Sequence, residues 1–229
     1  MNDALLIFAK APVPGEVKTR LLPDLSKEEA ARLYEAFIYD TLKSTSLIDA
    51  ERFLFCYPTT DHPFFQRTND DLGIRLLGQQ GQDLGERMKN AMGLLLKDGF
   101  DRVIIIGSDS PTLPVEYIID GFKGLMSYSS VIGPSIDGGY YLVGVRNKVP
   151  LIFEGISWGT DRVFRETLER GMLLGLDLYL LPFWYDIDTF QDLSLLYSHI
   201  RYLHKNKKKV AEETFAMLKK IDIFGSFLE

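Results

Sequence analysis

The sequence predicts an α/β protein with three layers, in which helices cover both faces of a mostly parallel β-sheet. Short runs rich in apolar and β-branched residues alternate along the chain with longer amphipathic stretches. These short runs are apolar almost continuously instead of at every second position, as expected for strands buried on both faces. Alternation of strands and helices favours parallel pairing. The predicted strands are Ala4–Ala9, Arg52–Tyr57, Ile74–Leu77, Arg102–Gly107, Ser130–Gly133, Tyr140–Val145 and Asp177–Leu181.

Most of the stretches between these strands are predicted to be helices. Two of them begin with the pattern of a capping box, Ser26 with Glu29 and Asp83 with Glu86. In this pattern the side chains at the first and fourth positions satisfy free backbone N–H groups at the helix start. The predicted helices are Lys27–Thr45, Leu84–Lys97, Val115–Met126, Asp161–Arg170, Gln191–Leu203 and Val210–Lys219.

The stretch VIGPSIDGGYYLVGV departs from this alternation. It holds two strands joined by a short, polar, glycine-rich loop with no helix between them. Such a connection joins antiparallel strands, because parallel strands need a longer crossover. We therefore expect an antiparallel excursion within the parallel sheet. The chain contains no repeat, low-complexity tract or linker, so residues 1–229 are predicted to form a single domain.

Composition excludes several classes of protein. The chain has 229 residues and a formal net charge of −6, which argues against nucleic-acid binding because that depends on excess Lys and Arg. Its single cysteine, Cys56, excludes an internal disulfide. No apolar run reaches the ~20 residues of a membrane span, and the N-terminus is a poor signal peptide, so we expect a cytoplasmic protein. The apolar ending IFGSFLE could dock on the core or on a second subunit, which allows a homo-oligomer.

The loop after the first strand, KAPVPGEVKTRLLP, has the composition of a phosphate site. Ligands in parallel α/β sheets bind outside the carboxyl ends of the strands, which is where this loop lies. Prolines stiffen it, Gly15 allows close backbone approach, and Lys10, Lys18 and Arg20 can neutralise a diphosphate or triphosphate. A solvated basic surface loop is the alternative. The pattern is neither G-x-G-x-x-G nor a Walker A loop, which disfavours a dinucleotide-dependent oxidoreductase and a P-loop enzyme.

Three acidic residues follow strands and are candidate metal ligands. Asp109 comes directly after an apolar strand in GSDSPTLP, and Asp186 and Asp188 follow the last strand in FWYDIDTFQDL. Carboxylates are ligands for Mg²⁺ and Mn²⁺, often together with phosphate oxygens. Alternation around one residue places Asp186 and Asp188 on the same side of an extended chain, where they would repel without a cation. Helix capping is the alternative for Asp109, although two prolines delay the next helix.

Two weaker groups complete the phosphate and nucleotide candidates. In GQQGQDLGERM, Gln79 and Arg87 could contact a base or phosphate, although an ordinary helix start explains much of this segment. Ser108, which directly precedes Asp109, is a further candidate for phosphate binding.

The loop DGGYY is a candidate for sugar or acceptor binding. Asp137 could orient or deprotonate a hydroxyl, while Gly138, Gly139 and Tyr140 could form a surface that a sugar approaches closely. The alternative is plain hairpin-turn chemistry, in which Asp-Gly is common. Trp158 is either a packing residue or a wall of the acceptor pocket.

Taken together, these motifs resemble those of a known superfamily. The order K-A-P-x-P-G-x-V-K-T-R-L, Q-x-G-x-D-L-G-E-R-M, G-S-D-S-P-T-L-P and G-P-x-x-D-G-G-Y-Y-L-V-G is similar to nucleotide-diphospho-sugar transferases with the GT-A fold. More closely, it resembles a glycosyltransferase-like family related to 2-phospho-lactate guanylyltransferase and sometimes linked to arsenosugar biosynthesis. The resemblance runs from about Leu5 to Leu193 and implies a GT-A-like fold.

The resemblance also implies site roles. Lys18 and Arg20 match the phosphate-binding loop of the nucleotidyltransferase relatives, and Asp109 matches their metal-binding acid. Asp186 and Asp188 match a late acidic pair, with Asp188 the better ligand. A Mg²⁺- or Mn²⁺-dependent transferase with a nucleotide-activated donor and a small acceptor is therefore expected, with catalytic roles for Lys18, Asp109 and Asp137.

The transferred group stays open at this point. The first loop lacks the G-x-G-T-R glycines of many nucleotidyltransferases, and S-D-S differs from the D-x-D of many glycosyltransferases. The leading hypothesis is glycosyl transfer from a nucleotide-diphospho-sugar to a small acceptor. The alternative is nucleotidyl transfer from a nucleoside triphosphate to a phosphorylated small molecule, with release of pyrophosphate. A third hypothesis is a non-catalytic nucleotide-binding module, since a fold does not determine a function.

Overall fold

A seven-stranded sheet lies between two layers of helices in the computed structural model, which describes residues 2–221. The strands are β1 (Asp3–Lys10), β2 (Glu51–Tyr57), β3 (Arg75–Gly78), β4 (Arg102–Ile106), β5 (Ser130–Pro134), β6 (Tyr140–Arg146) and β7 (Leu178–Leu180). The helices are α1 (Lys27–Ser44), α2 (Pro63–Leu72), α3 (Leu84–Lys97), α4 (Val115–Gly124), α5 (Val163–Leu173), α6 (Phe190–Lys205) and α7 (Glu212–Ile221). Short 3-10 turns occur at Thr19–Leu21, Thr45–Leu47 and Leu151–Phe153.

The strand order is β3-β2-β1-β4-β6-β5-β7, and only β6 runs against its neighbours. The predicted mostly parallel sheet with an antiparallel excursion is therefore confirmed. The short loop between β5 and β6 requires this reversal. Because β6 is antiparallel, its first residues lie at the same sheet edge as the last residues of β1 and β4, where Ile106 of β4 pairs with Leu142 of β6.

The core is divided by the sheet into two apolar clusters. Along β1, Leu5 and Ile7 face one cluster, while Leu6 and Phe8 face the other. The first cluster packs against α1, α4, α6 and α7, and the second packs mainly against α3. Both faces of β1 are buried, which explains its unbroken apolar run and confirms the three-layer arrangement.

The predicted elements agree with the structure apart from one helix and several boundaries. Each predicted strand lies within two residues of an observed one. Helix α2 was not predicted, although Pro63 at its first position and Gly73 just after its end are typical boundary signals. The capping box at Ser26 is present, but the one at Asp83 is half formed: Asp83 accepts from the N–H of Glu86, whereas the Glu86 carboxylate accepts from the N–H of Gln82.

Within residues 2–221, no helix combines the length and apolar character needed to cross a bilayer. The ending IFGSFLE, for which docking on the core or a second subunit is expected, lies outside the described residues.

Helix α3 packs closely against the segment that carries Trp158. A methyl group added at Gly85 would lie 2.4 Å from the Trp158 indole, far inside van der Waals contact. We expect Gly85→Ala to lower the free energy of unfolding by about 1–3 kcal/mol, because Trp158 or the helix must shift. Urea unfolding with fluorescence detection measures this.

Gly93, in the same helix, is the matched control because nothing lies within 4 Å of an added methyl group there. Gly93→Ala should leave stability unchanged or raise it by up to about 1 kcal/mol through helix propensity. Equal effects of the two substitutions would contradict the packing argument.

Candidate active site

Lys18 joins three loops at the carboxyl edge of the sheet. Its ammonium group lies 2.5 Å from Asp109 Oδ1 and 3.2 Å from Asp188 Oδ1, and it donates to the carbonyl oxygen of Ile187 at 2.5 Å. Asp109 follows β4, and Asp188 follows the last strand, so residues 170 positions apart meet here. The structure thus brings together three of the predicted site residues.

The loop after β1 holds Lys18 in place through its buried neighbours. Val17 and Leu21 are both in the core, so the backbone on either side of Lys18 is anchored. Lys18 itself adopts a left-handed conformation (φ 48°, ψ 40°) just before the Thr19–Leu21 turn. Non-glycine residues adopt this conformation rarely, and the buried residues on either side hold Lys18 in it. Gly15, with φ 82°, makes the preceding turn.

The Lys18 side chain is only 4% exposed, yet it stays charged. Burial by itself lowers the pKa of an ammonium group. The negative charges of Asp109 and Asp188 outweigh this effect, so the pKa of Lys18 is raised above its ordinary value. The rings of Tyr34 and Phe37 lie 5.8 and 5.6 Å from the Lys18 ammonium and add favourable cation–π contacts.

Two further basic residues of this loop lie at its surface. Arg20 is 70% exposed, and its Nη1 atom lies 3.4 Å from Asp188 Oδ2. Lys10 is half-exposed and donates to the carbonyl oxygen of Glu16 at 2.9 Å. Both positive charges can therefore reach solvent at the edge where Asp109 is partly exposed.

Asp186 lies in a different environment from Asp188. Its two carboxylate oxygens accept hydrogen bonds from the hydroxyls of Ser110, at 2.5 Å, and Ser135, at 2.7 Å. Burial raises the pKa of Asp186 to about 6; the serine hydrogen bonds oppose this effect, and the nearby charge of Asp109 adds to it. Asp186 thus ties the segment after β7 to the loops that follow β4 and β5.

A cavity of about 350 Å³ opens beside Asp109. It lies over the ends of β1, β4 and β6 and is covered by α3, and its wall contains Lys10, Gln79, Arg87 and Tyr140. These four residues were predicted from three separate segments, and the fold brings them together. A cavity of this size, apolar with a few polar groups, is typical of small-molecule sites.

Two polar side chains in this cavity are held by the backbone. The amide nitrogen of Gln79 donates to the carbonyl oxygen of Phe55 at 2.8 Å, and among residues 2–221 its side-chain oxygen has no hydrogen-bond partner. The Arg87 Nε atom donates to the carbonyl oxygen of Asp83 at 3.1 Å, and its guanidinium lies 4.3 Å from the ring centroid of Tyr57. Tyr57 was not singled out in the sequence, because only the pairing of β2 with β1 places it at this edge.

Ser108 is buried, and its hydroxyl hydrogen-bonds to the hydroxyl of Tyr34 at 2.8 Å. The Tyr34 hydroxyl oxygen also accepts from the N–H of Lys10. These bonds connect α1 to the ends of β1 and β4. Nothing in the local sequence marks Tyr34, since its role depends on how α1 packs over the sheet.

The hairpin between β5 and β6 is shaped by its own packing. Asp137 is exposed and accepts from the N–H of Gly139 at 2.9 Å. Gly138 has φ 91°, and a methyl group there would lie 2.1 Å from the carbonyl oxygen of Asp161. Tyr140 contacts Trp158 edge to face, with ring centroids 6.3 Å apart. Close packing against the Asp161 backbone therefore explains why residue 138 is glycine. Trp158 packs against the ring of Tyr140.

The carboxylates of Asp109 and Asp188 are the candidate ligands for the expected Mg²⁺ or Mn²⁺. No group of three or more His, Cys, Asp or Glu side chains that could hold a metal exists within residues 2–221. Asp109 and Asp188 nevertheless direct one oxygen each at the same position, which the Lys18 ammonium occupies. The other Asp109 oxygen has no partner in the described chain. Magnesium is commonly held by one or two carboxylates together with substrate phosphates. The pair therefore fits a cation that shares its coordination with a nucleotide.

Comparison with solved structures places this fold among nucleotide-using transferases. A structure from Desulfovibrio desulfuricans G20, which carries the provisional name nucleotide-diphospho-sugar transferase, is 36% identical with a TM-score of 0.86 and covers 97% of this chain and 96% of its own. A CMP:2-keto-3-deoxy-manno-octonic acid synthetase complexed with CTP is 13% identical, with a TM-score of 0.56 over 90% of this chain and 100% of its own, and shows likeness of fold alone.

Comparison with curated sequences also finds a nucleotide-using transferase. A 2-phospho-L-lactate guanylyltransferase from Methanocaldococcus jannaschii is 25% identical over 199 residues, which are 85% of this chain and 82% of that protein. The GT-A-like fold and the resemblance to nucleotide-diphospho-sugar transferases are thus confirmed. The model of DUF2064, described as uncharacterized protein conserved in bacteria, matches residues 41–160, and the chain belongs to this family.

Proposed function

We propose that this protein is a nucleotidyltransferase that joins a nucleoside triphosphate to a small phosphorylated acceptor and releases pyrophosphate. The observation that carries the proposal is the Lys18–Asp109–Asp188 cluster, whose Asp109 also lines the 350 Å³ cavity. The cavity offers space for the nucleoside, and the cluster, with Arg20, offers charges for the triphosphate. The relative named 2-phospho-L-lactate guanylyltransferase supports this reaction class and makes GTP with 2-phospho-L-lactate the first pair to test.

In the proposed reaction, an oxygen of the acceptor phosphate forms a bond to the α-phosphorus of the triphosphate. The bond from that phosphorus to the oxygen bridging to the β-phosphate breaks, and this oxygen keeps the electron pair and leaves in pyrophosphate. An ionised phosphate is already a nucleophile, so no base is needed. Lys18, charged at neutral pH, and Arg20 would stabilise the negative charge that builds on the leaving phosphates.

Asp109 and Asp188 would hold Mg²⁺ or Mn²⁺ against the phosphates. When bound, the cation supplies charge neutralisation and orients the phosphate oxygens. Gln79, with its side-chain oxygen available, and Arg87, stacked on Tyr57, would contact the nucleoside from the cavity wall.

Glycosyl transfer is the second candidate. It is favoured by the name of the Desulfovibrio desulfuricans relative. In that reaction Asp137, exposed in the hairpin whose Tyr140 lines the cavity, would orient the acceptor hydroxyl, and Gly139 and Tyr140 would flank the sugar.

Release of pyrophosphate separates the two reactions. We expect the purified protein to release pyrophosphate from one nucleoside triphosphate in the presence of Mg²⁺ and one member of a panel of phosphorylated acids and sugar phosphates. A coupled pyrophosphate assay measures this. Release of a nucleoside diphosphate from a nucleotide sugar, without pyrophosphate, would instead support glycosyl transfer. Nucleotide binding with no turnover on either panel would contradict both and support a non-catalytic module.

Loss of either carboxylate should impair the reaction. We expect Asp109→Asn and Asp188→Asn each to lower kcat/KM by about a hundredfold or more, because each removes a ligand and a counter-charge. Steady-state kinetics with the substrates identified above measure this. Asp70→Asn, at an exposed position on α2, is the matched control and should keep full activity. Full activity of Asp109→Asn would exclude the proposed role.

We propose that Asp186 does not contact the metal, a role left to Asp188. Asp186 instead positions the loops after β4 and β5 through Ser110 and Ser135. Because its pKa rises from 3.8 to about 6 on folding, the folded state favours its protonated form. Its stabilising contribution is therefore complete below pH 4 and is lost as the pH rises through 6. The free energy of unfolding of the wild type, minus that of Asp186→Asn, should fall between pH 4 and pH 7. Urea titrations at several pH values test this, and a constant difference would contradict it.

A further inference from the structure

Lys18 occupies the point at which the two candidate metal ligands converge. Asp109 Oδ1 and Asp188 Oδ1 both contact its ammonium, and the carbonyl oxygen of Ile187 completes a set of three oxygen partners. Three oxygens around one cation, with little solvent exposure, resemble the surroundings of a bound metal ion. In this protein a side chain supplies that cation.

The Lys18 ammonium cannot easily leave this position for solvent. Its backbone is anchored by the buried side chains of Val17 and Leu21, and the rings of Tyr34 and Phe37 lie beside the ammonium group. Leaving would separate a buried charge from both carboxylates, which is strongly unfavourable unless another anion replaces them. A nucleotide phosphate entering from the exposed side of Asp109 is such an anion.

A free divalent cation meets the opposite situation. To bind Asp109 and Asp188 together, it must share oxygens that already neutralise Lys18, with Arg20 within 3.4 Å of the remaining Asp188 oxygen. Two positive side chains then repel the incoming cation, and no third carboxylate among residues 2–221 belongs to a metal-binding group with them. Phosphate oxygens bring the missing negative charge and the missing ligands.

We infer that Lys18 is the resident cation of this site and that a divalent metal binds only together with nucleotide phosphates, not to the nucleotide-free protein. The nucleotide part rests on the proposed function, whereas exclusion of the free metal by Lys18 does not. Lys18 thus has two roles in sequence: it neutralises Asp109 and Asp188 before the substrate arrives, and it contacts phosphate afterwards.

Electron paramagnetic resonance of Mn²⁺ tests the first role without any turnover. The signal of free Mn²⁺ falls when the ion binds protein, so titrations of the wild type and Lys18→Met give the affinities directly. We expect Lys18→Met to bind one Mn²⁺ at least about tenfold more tightly than the wild type, because a unit positive charge is removed from the site. The double variant Lys18→Met/Asp109→Asn should lose this gain.

Lys43→Met is the matched control, since Lys43 also pairs with a carboxylate, that of Glu213 at 3.1 Å, but lies on α1 away from the site. It should bind Mn²⁺ as weakly as the wild type. Tight Mn²⁺ binding by the nucleotide-free wild type, or equal affinities of wild type and a folded Lys18→Met, would overturn the inference. If Lys18→Met does not fold, Lys18→Gln and the wild-type titration decide the question.

Addition of GTP tests the second role separately. The wild type should then take up Mn²⁺ beyond the amount that GTP binds in a protein-free control. Absence of this uptake, together with a clear gain in Lys18→Met alone, would contradict the proposed nucleotide and leave the exclusion of free metal supported. Uptake with GTP but no gain in Lys18→Met would overturn the role of Lys18 and leave the proposed function standing.

Discussion

The contact of one buried ammonium with two carboxylates organises the edge of the sheet that carries the candidate site. Lys18 comes from the loop after β1, Asp109 from the end of β4, and Asp188 from the segment after β7, so a single side chain holds three distant segments together. The contact is stable because each partner would be costly alone: an unpaired ammonium inside the protein and two facing carboxylates are both unfavourable. The basic residue of the first loop and the acidic residues of the two later segments therefore form a single cluster.

The sheet explains how these segments reach the same place. Parallel β1 and β4 are neighbours and end side by side, and antiparallel β6 begins at that edge, so its Tyr140 joins the cavity wall. The segment after β7 continues beside the end of β5 through the pairing of Trp184 with Ser135, and Asp186 secures it by accepting from two serines. A chain with net charge −6 thereby places two of its carboxylates around a buried ammonium group.

Most of the fold could be predicted because its strands carry strong local signals. The apolar runs of β1 and β4 are buried on both faces, and the DGG loop specifies the reversal at β6. Helix α2 escaped prediction because its apolar residues are few, with Phe64 and Phe65 packing a short ten-residue helix onto the core. The half-formed cap at Asp83 shows a similar limit, since Glu86 has a choice of two backbone partners and local sequence does not decide between them.

By itself, the sequence determined the α/β class, the antiparallel excursion and the residue types of the candidate site, because these depend on local periodicity and on side-chain chemistry. Tertiary structure alone decided which acids meet Lys18. Alternation around Ile187 treats Asp186 and Asp188 alike, yet one binds two serines and the other faces the ammonium. Tyr34 and Tyr57 likewise join the site only through packing and strand pairing. Contacts between residues far apart in the chain depend on where the sheet brings their backbones, and that information is not local.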